Sequence, residues 1–214
     1  MSEQLKKTNK KKYYDNISVG ERTKQIVHLV AKKDKASMFE QFLKNSETKQ
    51  TVVIARSKRS ANALSLHLES HDIKAITVHG NHKQAQLHEA TQAFNSSKTN
   101  ILITTDMIFK SLELKNIQVM VNYELPTMED DYFMRLRYVD EIGLSVSFVT
   151  PEEEVTLQNI EIMMKLEIPQ EKVKNFVPTN PNDEIKPVKD KKKKPRHRKT
   201  KQKAKKKSTQ DNNE

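Results

Sequence analysis

The sequence predicts an α/β domain, a three-layer sandwich in which helices cover both faces of a mostly parallel sheet. Short runs rich in β-branched residues, such as 51–56, recur between residues 25 and 150, as is typical of parallel strands buried on both faces. Segments of helical length separate these runs. Strands that alternate with helices in this way form right-handed crossovers and a parallel sheet.

The elements follow one another in a regular order. Strands are predicted at 25–30, 51–56, 74–79, 100–105, 118–125 and 144–150, and helices at 36–45, 60–70, 83–94, 129–139 and 151–166. The last helix has the clearest start signals. Thr150 is a suitable N-cap, Pro151 suits the first helical position, and Glu152–Glu154 favour the positive end of the helix dipole.

Charge divides the chain into three parts. The 214 residues carry 39 Lys and Arg against 28 Asp and Glu, a formal net charge of +11. Residues 1–24 contribute +4, residues 25–182 contribute −2, and residues 183–214 contribute +9. Because the ends hold too few apolar groups to form a core, we expect disordered basic ends. The predicted organisation is a basic extension over 1–22, a folded domain over 23–176 and a Lys/Arg-rich tail over 177–214.

Composition excludes several classes of protein. The chain has no cysteine, so it has neither a disulfide framework nor a thiolate metal site. It contains no apolar run of the roughly 20 residues that cross a bilayer, and residues 1–14 lack the apolar segment of a signal peptide. We therefore expect no membrane partner and a cytoplasmic location, or a nucleolar one in a eukaryote.

The sequence also lacks the motifs of two common kinds of ligand site, one for phosphate or dinucleotides and one for metal ions. With only three glycines, the chain has no glycine-rich loop that would surround a phosphate and no dinucleotide-binding turn. His79, His82 and His88 lie close in sequence, but no cysteine or paired carboxylate accompanies them. Since a structural zinc site usually has four ligands, we expect no metal site.

Four segments then occur in a characteristic order. The first is V-V-I-A-R-S-K at 52–58, and the second is Val78–His79–Gly80 followed by Gln84 and Phe94. The third is Thr105–Asp106–Met107 followed by Leu112–Glu113–Leu114, and the fourth is V-N-Y-E-L-P at 121–126 followed by Tyr132 and Arg135. In this order and spacing, residues 23–165 resemble the C-terminal RecA-like domain of superfamily 2 helicases, most closely the DEAD-box RNA helicases. The resemblance implies a RecA-like fold.

The departures from the family pattern concern ATP. Lys110–Ser111 stands where the family has Arg-Gly, Glu113 where it has Asp, and Met134 where it has His. Tyr138 and Glu141 occupy the positions of two arginines that contact ATP phosphates in the family. Glu113 and Arg135 remain as residual nucleotide-site positions.

The resemblance also places the Walker lysine and the metal-binding carboxylates on a separate N-terminal lobe. Only about 50 residues precede the first motif, which is too few for such a lobe. We therefore expect no ATPase or unwinding activity of its own, no catalytic residue and no cofactor. Two alternatives stay open: an ATPase completed in trans by a separate N-terminal lobe, which would bind ATP, and a protein-interaction module for a helicase or ribonuclease.

For RNA, the resemblance implies contacts between the loops that follow the strands and the sugar-phosphate backbone. Hydroxyl groups, small residues and cations at strand ends suit such contacts, which position a protein without reading bases. The alternative is that Thr105 and Gly80 only terminate strands. The candidate residues in the folded domain are Ser57, Lys58, Arg59, Gly80, Gln84, Thr105 and Lys110.

The tail gives a second indication of nucleic-acid binding. Residues 186–207 hold 14 basic side chains and one acidic residue, Asp190, and no aromatic residue. Such a segment gains affinity by releasing counterions from nucleic acid rather than by stacking on bases. A solubilising tail, a contact with anionic membranes or a nuclear address are the other interpretations. The candidate contacts in the tail are Lys191, Lys192, Lys193, Lys194, Arg196 and Arg198.

Overall fold

A computed structural model describes residues 15–47 and 49–180. The strands are β1 (Lys24–Leu29), β2 (Thr51–Ala55), β3 (Ile76–Thr77), β4 (Ile101–Thr105), β5 (Ile117–Asn122) and β6 (Val139–Val149). The helices are α1 (Asn16–Arg22), α2 (Lys35–Asn45), α3 (Lys58–Glu69), α4 (Gln84–Asn95), α5 (Asp106–Phe109), α6 (Glu129–Tyr138) and α7 (Glu154–Met164). Short 3-10 turns at Lys32–Asp34 and Pro151–Glu153 lead into α2 and α7.

The six strands form one sheet in the order β1-β6-β5-β2-β4-β3, and every neighbouring pair is parallel. The central strand β2 is buried along its whole length. It is in register with β4 and β5, so that Val53 lies opposite both Ile103 and Val121. This arrangement confirms the predicted parallel sheet.

Side chains alternate between the two faces of the sheet, as the period of a strand requires. Val53 and Ile103 pack with α2 and α3 on one face, whereas Val52 and Leu102 pack with α4 on the other. Helices α1, α6 and α7 share a third cluster around Val27 of β1. The protein is therefore the three-layer sandwich that the sequence predicts.

The folded domain begins earlier than residue 23, and the predicted extension over 1–22 is corrected here. Asp15 caps α1 by accepting a hydrogen bond from the Ser18 amide at 2.9 Å, and Val19 is buried. Gly20 lies directly against α7, because a Cβ at this position would be 2.7 Å from the Met164 sulfur. A seven-residue helix with one buried turn carries little periodic signal, so its presence depends on this packing.

Further differences concern the ends of elements. The strand predicted at 74–79 is only two residues long, and α5 was not predicted. Strand β6 begins at Val139 rather than at 144, and its register with β5 shifts between Ile117 and Val119.

The domain also extends past its predicted end at 176. Gln170 forms a parallel bridge with Val27, and the Thr179 backbone and hydroxyl both donate to the Asp34 carboxylate. No helix among the described residues is long and apolar enough to cross a membrane. The predicted tail contacts at 191–198 lie outside the described residues.

Candidate nucleic-acid interface

The candidate residues of the folded domain lie on loops that follow three neighbouring strands. Strand β4 stands between β2 and β3, so the loops after these strands lie side by side along the carboxyl edge of the sheet. The carboxyl edge is where parallel α/β sheets bind ligands. We call these residues the open loops: 57–59 after β2, 80–84 after β3, and Thr105 with Lys110 at and after the end of β4.

The loop after β2 presents one hydroxyl and two cations. Ser57 caps α3, and its hydroxyl oxygen accepts a hydrogen bond from the Ser60 amide at 3.1 Å. Because a hydroxyl can accept and donate at once, its proton is available to a ligand. Lys58 and Arg59 form the first turn of α3 and are exposed. They add positive charge at the helix end that already favours anions.

In the loop after β3, one residue is buried and hydrogen-bonded to the domain, and the next residue is open to solvent. His79 is buried, and its Nε2 lies 3.0 Å from the Asn62 side-chain oxygen. Burial, with nearby His82 and Lys58, lowers the pKa of His79, so this ring is mainly neutral at pH 7. Gly80 is exposed, and a Cβ at this position would meet no atom within 4 Å. The fold therefore leaves free space above Gly80.

The loops after β2 and β3 also contact each other. The Lys58 ammonium donates to the Asn81 side-chain oxygen at 3.4 Å, and both side chains are exposed. Gln84 begins α4 three residues after Asn81 and is exposed as well. The fold thus joins candidate Lys58 to the residue that follows candidate Gly80, 23 residues away along the chain.

The loop after β4 supplies a second hydroxyl and a paired cation. Thr105 occupies the N-cap position of α5, but its side chain makes no capping hydrogen bond. Lys110 is exposed and lies 2.8 Å from an Asp131 carboxylate oxygen. This hydrogen bond raises the pKa of Lys110. Because Asp131 offsets its charge, Lys110 attracts phosphate less than Lys58 or Arg59 does.

The structure does not bring the two residual nucleotide-site positions together. Arg135 is completely buried. Its guanidinium forms a bidentate pair with Asp106 at 2.8 and 2.6 Å and donates to the Asn122 side-chain oxygen at 2.7 Å. Glu113 is exposed in the segment between α5 and β5. A guanidinium that is buried and fully engaged is not presented to a nucleotide, so that expectation for Arg135 is corrected.

Tyr138 is the residue at the position where the sequence resemblance implies one of the family's arginines. Its ring packs edge-on against Phe109, with the ring centroids 4.8 Å apart. The side chain is 40% exposed, so the phenol is partly accessible. A neutral phenol in an aromatic contact cannot supply the positive charge that a transferred phosphoryl group requires.

Past β5 and β6, the same edge of the sheet contains a dense cluster of charges. The Glu153 carboxylate accepts hydrogen bonds from Arg56 and the Leu125 amide at 2.9 Å each. It also accepts bonds from Lys35 at 2.8 Å, the Thr150 hydroxyl at 3.0 Å and the Thr150 amide at 3.1 Å. Every charge in this cluster is paired within the domain.

Burial alone would raise the pKa of Glu153, but the Lys35 ammonium and the hydrogen bonds to its carboxylate outweigh burial. The pKa of Glu153 therefore lies below its usual value of 4.5. Lys35 is almost entirely buried and has the Tyr123 ring 5.5 Å from its ammonium. The cluster is built to hold an ionised carboxylate.

Sequence reasoning did not find this cluster. Thr150 and Glu153 have the spacing of a capping box, which was the available signal, and the structure contains that box. The partners Lys35 and Arg56 are more than 90 residues away from Glu153. Contacts over such separations follow from the fold rather than from local pattern.

The six-stranded parallel sheet, helices on both faces and polar loops at its carboxyl edge define a RecA-like α/β domain. Residues 34–137 match the family model described as the helicase conserved C-terminal domain. This part of the chain is similar to the helicase C-terminal domain found in DEAD-box RNA helicases.

Two curated relatives are RNA helicases. The ATP-dependent RNA helicase SUB2-2 of Vanderwaltozyma polyspora is 35% identical over 104 residues, which are 47% of this chain and 24% of the relative. The ATP-dependent RNA helicase FAL1 of Mycosarcoma maydis is 28% identical over 114 residues, which are 52% of this chain and 29% of the relative. The chain thus matches less than a third of the length of either relative.

Solved structures have the same fold. A DEAD-box protein from Methanococcus jannaschii is 26% identical, with a TM-score of 0.66 over 72% of this chain and 43% of that one. The C-terminal domain of Dbp5 has a TM-score of 0.65 at 20% identity, over 70% of this chain and 89% of that one. The Dbp5 comparison shows the fold alone. It covers most of that domain.

Proposed function

We propose that this protein binds single-stranded RNA along its sugar-phosphate backbone and does not hydrolyse ATP by itself. The observation that carries the proposal is the position of the open loops, since three neighbouring strands present their hydroxyls and cations along one edge. The curated relatives are named as RNA helicases, and a related solved structure is Dbp5 of S. cerevisiae bound to RNA and ADP BeF3.

The open loops suit phosphate better than bases. The hydroxyls of Ser57 and Thr105 donate to phosphate oxygens, and Lys58 and Arg59 supply cations that are exposed on the same edge. The free space above Gly80 lets a sugar-phosphate chain approach the backbone. Such contacts hold RNA without reading its sequence.

The basic tail provides the larger electrostatic part of the affinity in this proposal. It holds 14 basic side chains over residues 186–207, compared with the few cations of the open loops. Each neutralised phosphate on a single strand adds about 0.7 to the slope of log affinity against log salt. The open loops then fix the strand relative to the folded domain.

Three features of the chain argue against hydrolysis by this protein alone. Tyr138 and Glu141 stand at the positions of the phosphate-contacting arginines. Arg135 is buried against Asp106 and Asn122, and is therefore withdrawn from a nucleotide. A separate N-terminal lobe would have to supply most of the catalytic groups.

The test is a salt titration of binding to a single-stranded RNA homopolymer, with the full chain. Replacing Lys191–Lys194, Arg196 and Arg198 by Gln should lower the salt slope by about 4 and leave weaker binding by the open loops. Unchanged affinity and slope would contradict the role of the tail.

RNA-stimulated ATP hydrolysis by the chain alone would contradict the second part of the proposal. Hydrolysis only after adding a separate DEAD-box N-terminal lobe would favour an ATPase completed in trans.

A further inference from the structure

A second cluster of polar side chains lies between α2 and α3, at the opposite end of the domain. Glu40 projects from α2, and His67 and His71 lie one helical turn apart at the end of α3. One oxygen of Glu40 and one ring nitrogen of each histidine all lie within 4.8 Å of one another. Among the described residues, this is the one group of three or more carboxylate and imidazole donors arranged so closely.

The distances fit ligands that surround one cation. The Glu40 Oε2 atom is 2.9 Å from His67 Nε2 and 3.6 Å from His71 Nε2. Ligands about 2.0 to 2.1 Å from a tetrahedral zinc ion are separated from each other by about 3.3 Å. The two observed distances bracket this value, so small side-chain rotations would complete the geometry.

Hydrogen bonds around the cluster orient His71 as a ligand. Its Nδ1 atom lies 2.8 Å from the His67 carbonyl oxygen, so Nδ1 carries the proton and donates it there. The lone pair is therefore on Nε2, the nitrogen that faces Glu40. A backbone carbonyl that accepts from the distal nitrogen is the usual support for a metal-bound imidazole.

Lys44 completes the surroundings of Glu40. Its ammonium lies 2.6 Å from Oε1, the carboxylate oxygen that does not face the histidines. The lysine side chain is half exposed, so it can remain on Oε1 or turn toward solvent when a cation binds at Oε2. Glu40 itself is nearly buried and fixed between the two helices.

We propose that Glu40, His67 and His71 bind one Zn²⁺ ion, with water as the fourth ligand. Two imidazoles and one carboxylate are a donor set that suits zinc rather than the harder Mg²⁺ or Ca²⁺. His71 is partly exposed, which leaves room for the water. For His67 to bind through Nε2, which lies at hydrogen-bond distance from Glu40 in the metal-free arrangement, its imidazole must carry its proton on Nδ1.

The ion links two helices that the chain connects only through β2. Glu40 and His67 are 27 residues apart, and both helices cover the same face of the sheet. Because α3 begins at the carboxyl end of β2 and runs back along the sheet, its last turn lies at the amino edge. The site therefore joins α2 to α3 at a distance from the open loops, and it does not depend on the RNA proposal.

The histidines that the sequence places close together do not form such a site. The rings of His79 and His82 lie 4.3 Å apart, but no carboxylate joins them in a cluster among the described residues. His88 lies on α4, where its Nε2 contacts Gln92 at 2.8 Å. His88 is exposed and has a comparable surface position, so it provides a matched control.

The experiment is titration of the full chain with Zn²⁺ by calorimetry and with Co²⁺ by visible absorption. We expect one saturable site, a tetrahedral Co²⁺ spectrum, and a melting temperature raised by about 5 °C at 100-fold excess over Kd. His71→Ala and Glu40→Gln should each weaken binding at least about tenfold, whereas His88→Ala should not.

The absence of a saturable site, or unchanged affinity in His71→Ala, would overturn the proposal. His71 decides the question if Glu40→Gln fails to fold, because the partly exposed His71 can be replaced with little loss of packing. The calorimetry on RNA-free protein keeps this test separate from that of RNA binding.

Discussion

The carboxyl edge of the sheet contains two regions that use charge in opposite ways. In the open loops, Lys58 and Arg59 are exposed, and the Lys58 ammonium donates to the neutral Asn81 side-chain oxygen at 3.4 Å. In the second region, which we call the paired clusters, Arg135 binds Asp106, and Glu153 binds Lys35 and Arg56. The regions meet after β2 and β4, where Arg56 precedes Ser57 and Thr105 precedes Asp106.

Because one region pairs its charges and the other exposes them, the two regions should contribute to different properties, namely stability and RNA binding. A buried ion pair holds its charges for the fold, and removing one partner leaves an uncompensated charge in the interior. An exposed cation contributes little to stability but is free to neutralise a phosphate. Substitutions in the paired clusters should therefore change unfolding, and substitutions in the open loops should change RNA binding.

The largest effect is expected at Arg135. Arg135→Leu removes the bidentate pair with Asp106 and the bond to Asn122, and should lower the free energy of unfolding by about 4 kcal/mol. Arg137→Leu is the matched control, because Arg137 is an exposed neighbour on α6 and should change stability by less than about 0.5 kcal/mol. Urea unfolding followed by circular dichroism measures both. Equal losses in the two variants would remove the distinction between buried and exposed charge.

Glu153→Gln should destabilise the domain by about 3 kcal/mol at neutral pH, because it leaves Lys35 buried without its counterion. The pKa of Glu153 is lowered in the folded state, so its contribution is present above the unfolded value of 4.5 and is lost as pH falls below it. The difference in the free energy of unfolding between wild type and Glu153→Gln should therefore become smaller as the pH falls below 4.5. Glu152→Gln, at an exposed pair with Lys32, is the control and should be nearly neutral. If the difference in the free energy of unfolding between wild type and Glu153→Gln stays constant down to low pH, the stabilisation does not depend on an ionised Glu153.

In the open loops, the double variant Lys58→Ala and Arg59→Ala should bind single-stranded RNA about tenfold more weakly, which is about 1.4 kcal/mol. The salt slope should fall by about 1.4. Unfolding should be unchanged, since both side chains are exposed.

Lys98→Ala with Lys115→Ala is the matched control for charge. These two exposed lysines precede β4 and β5, at the amino edge of the sheet, and their removal subtracts the same charge. If both double variants lose the same affinity, RNA is attracted by net charge and not by the open loops.

The smallest loss of RNA affinity is expected at Gly80. Gly80→Ala adds a methyl group that meets no atom of the domain within 4 Å, so the free energy of unfolding should change by less than about 1 kcal/mol. RNA affinity should still fall severalfold if the backbone passes over this glycine. Gly20→Ala provides the contrast, because its Cβ would lie 2.7 Å from the Met164 sulfur and should destabilise α1. If Gly80→Ala binds RNA with full affinity, the RNA backbone does not pass over this loop.

Most of the fold and part of the candidate site could be predicted from local pattern. The strands 51–56 and 100–105 were predicted to within a residue, because buried β-branched runs are a strong signal. The open loops were predicted as separate candidates on the motifs that resemble DEAD-box helicases. Helix α1 was missed, since a short helix is stabilised by its contact with α7 rather than by its own sequence.

The sequence by itself determined the alternation of strands and helices, the presence of Tyr138 and Glu141 where the resembling family pattern has arginines, and the concentration of positive charge outside the folded domain. These properties depend on residue type and spacing along the chain. Only the tertiary structure decided that Arg135 is buried, that Glu153 joins Lys35 and Arg56, and that Glu40 faces two histidines. Each of these contacts joins residues far apart in sequence, and which distant residues meet is set by strand order and helix packing.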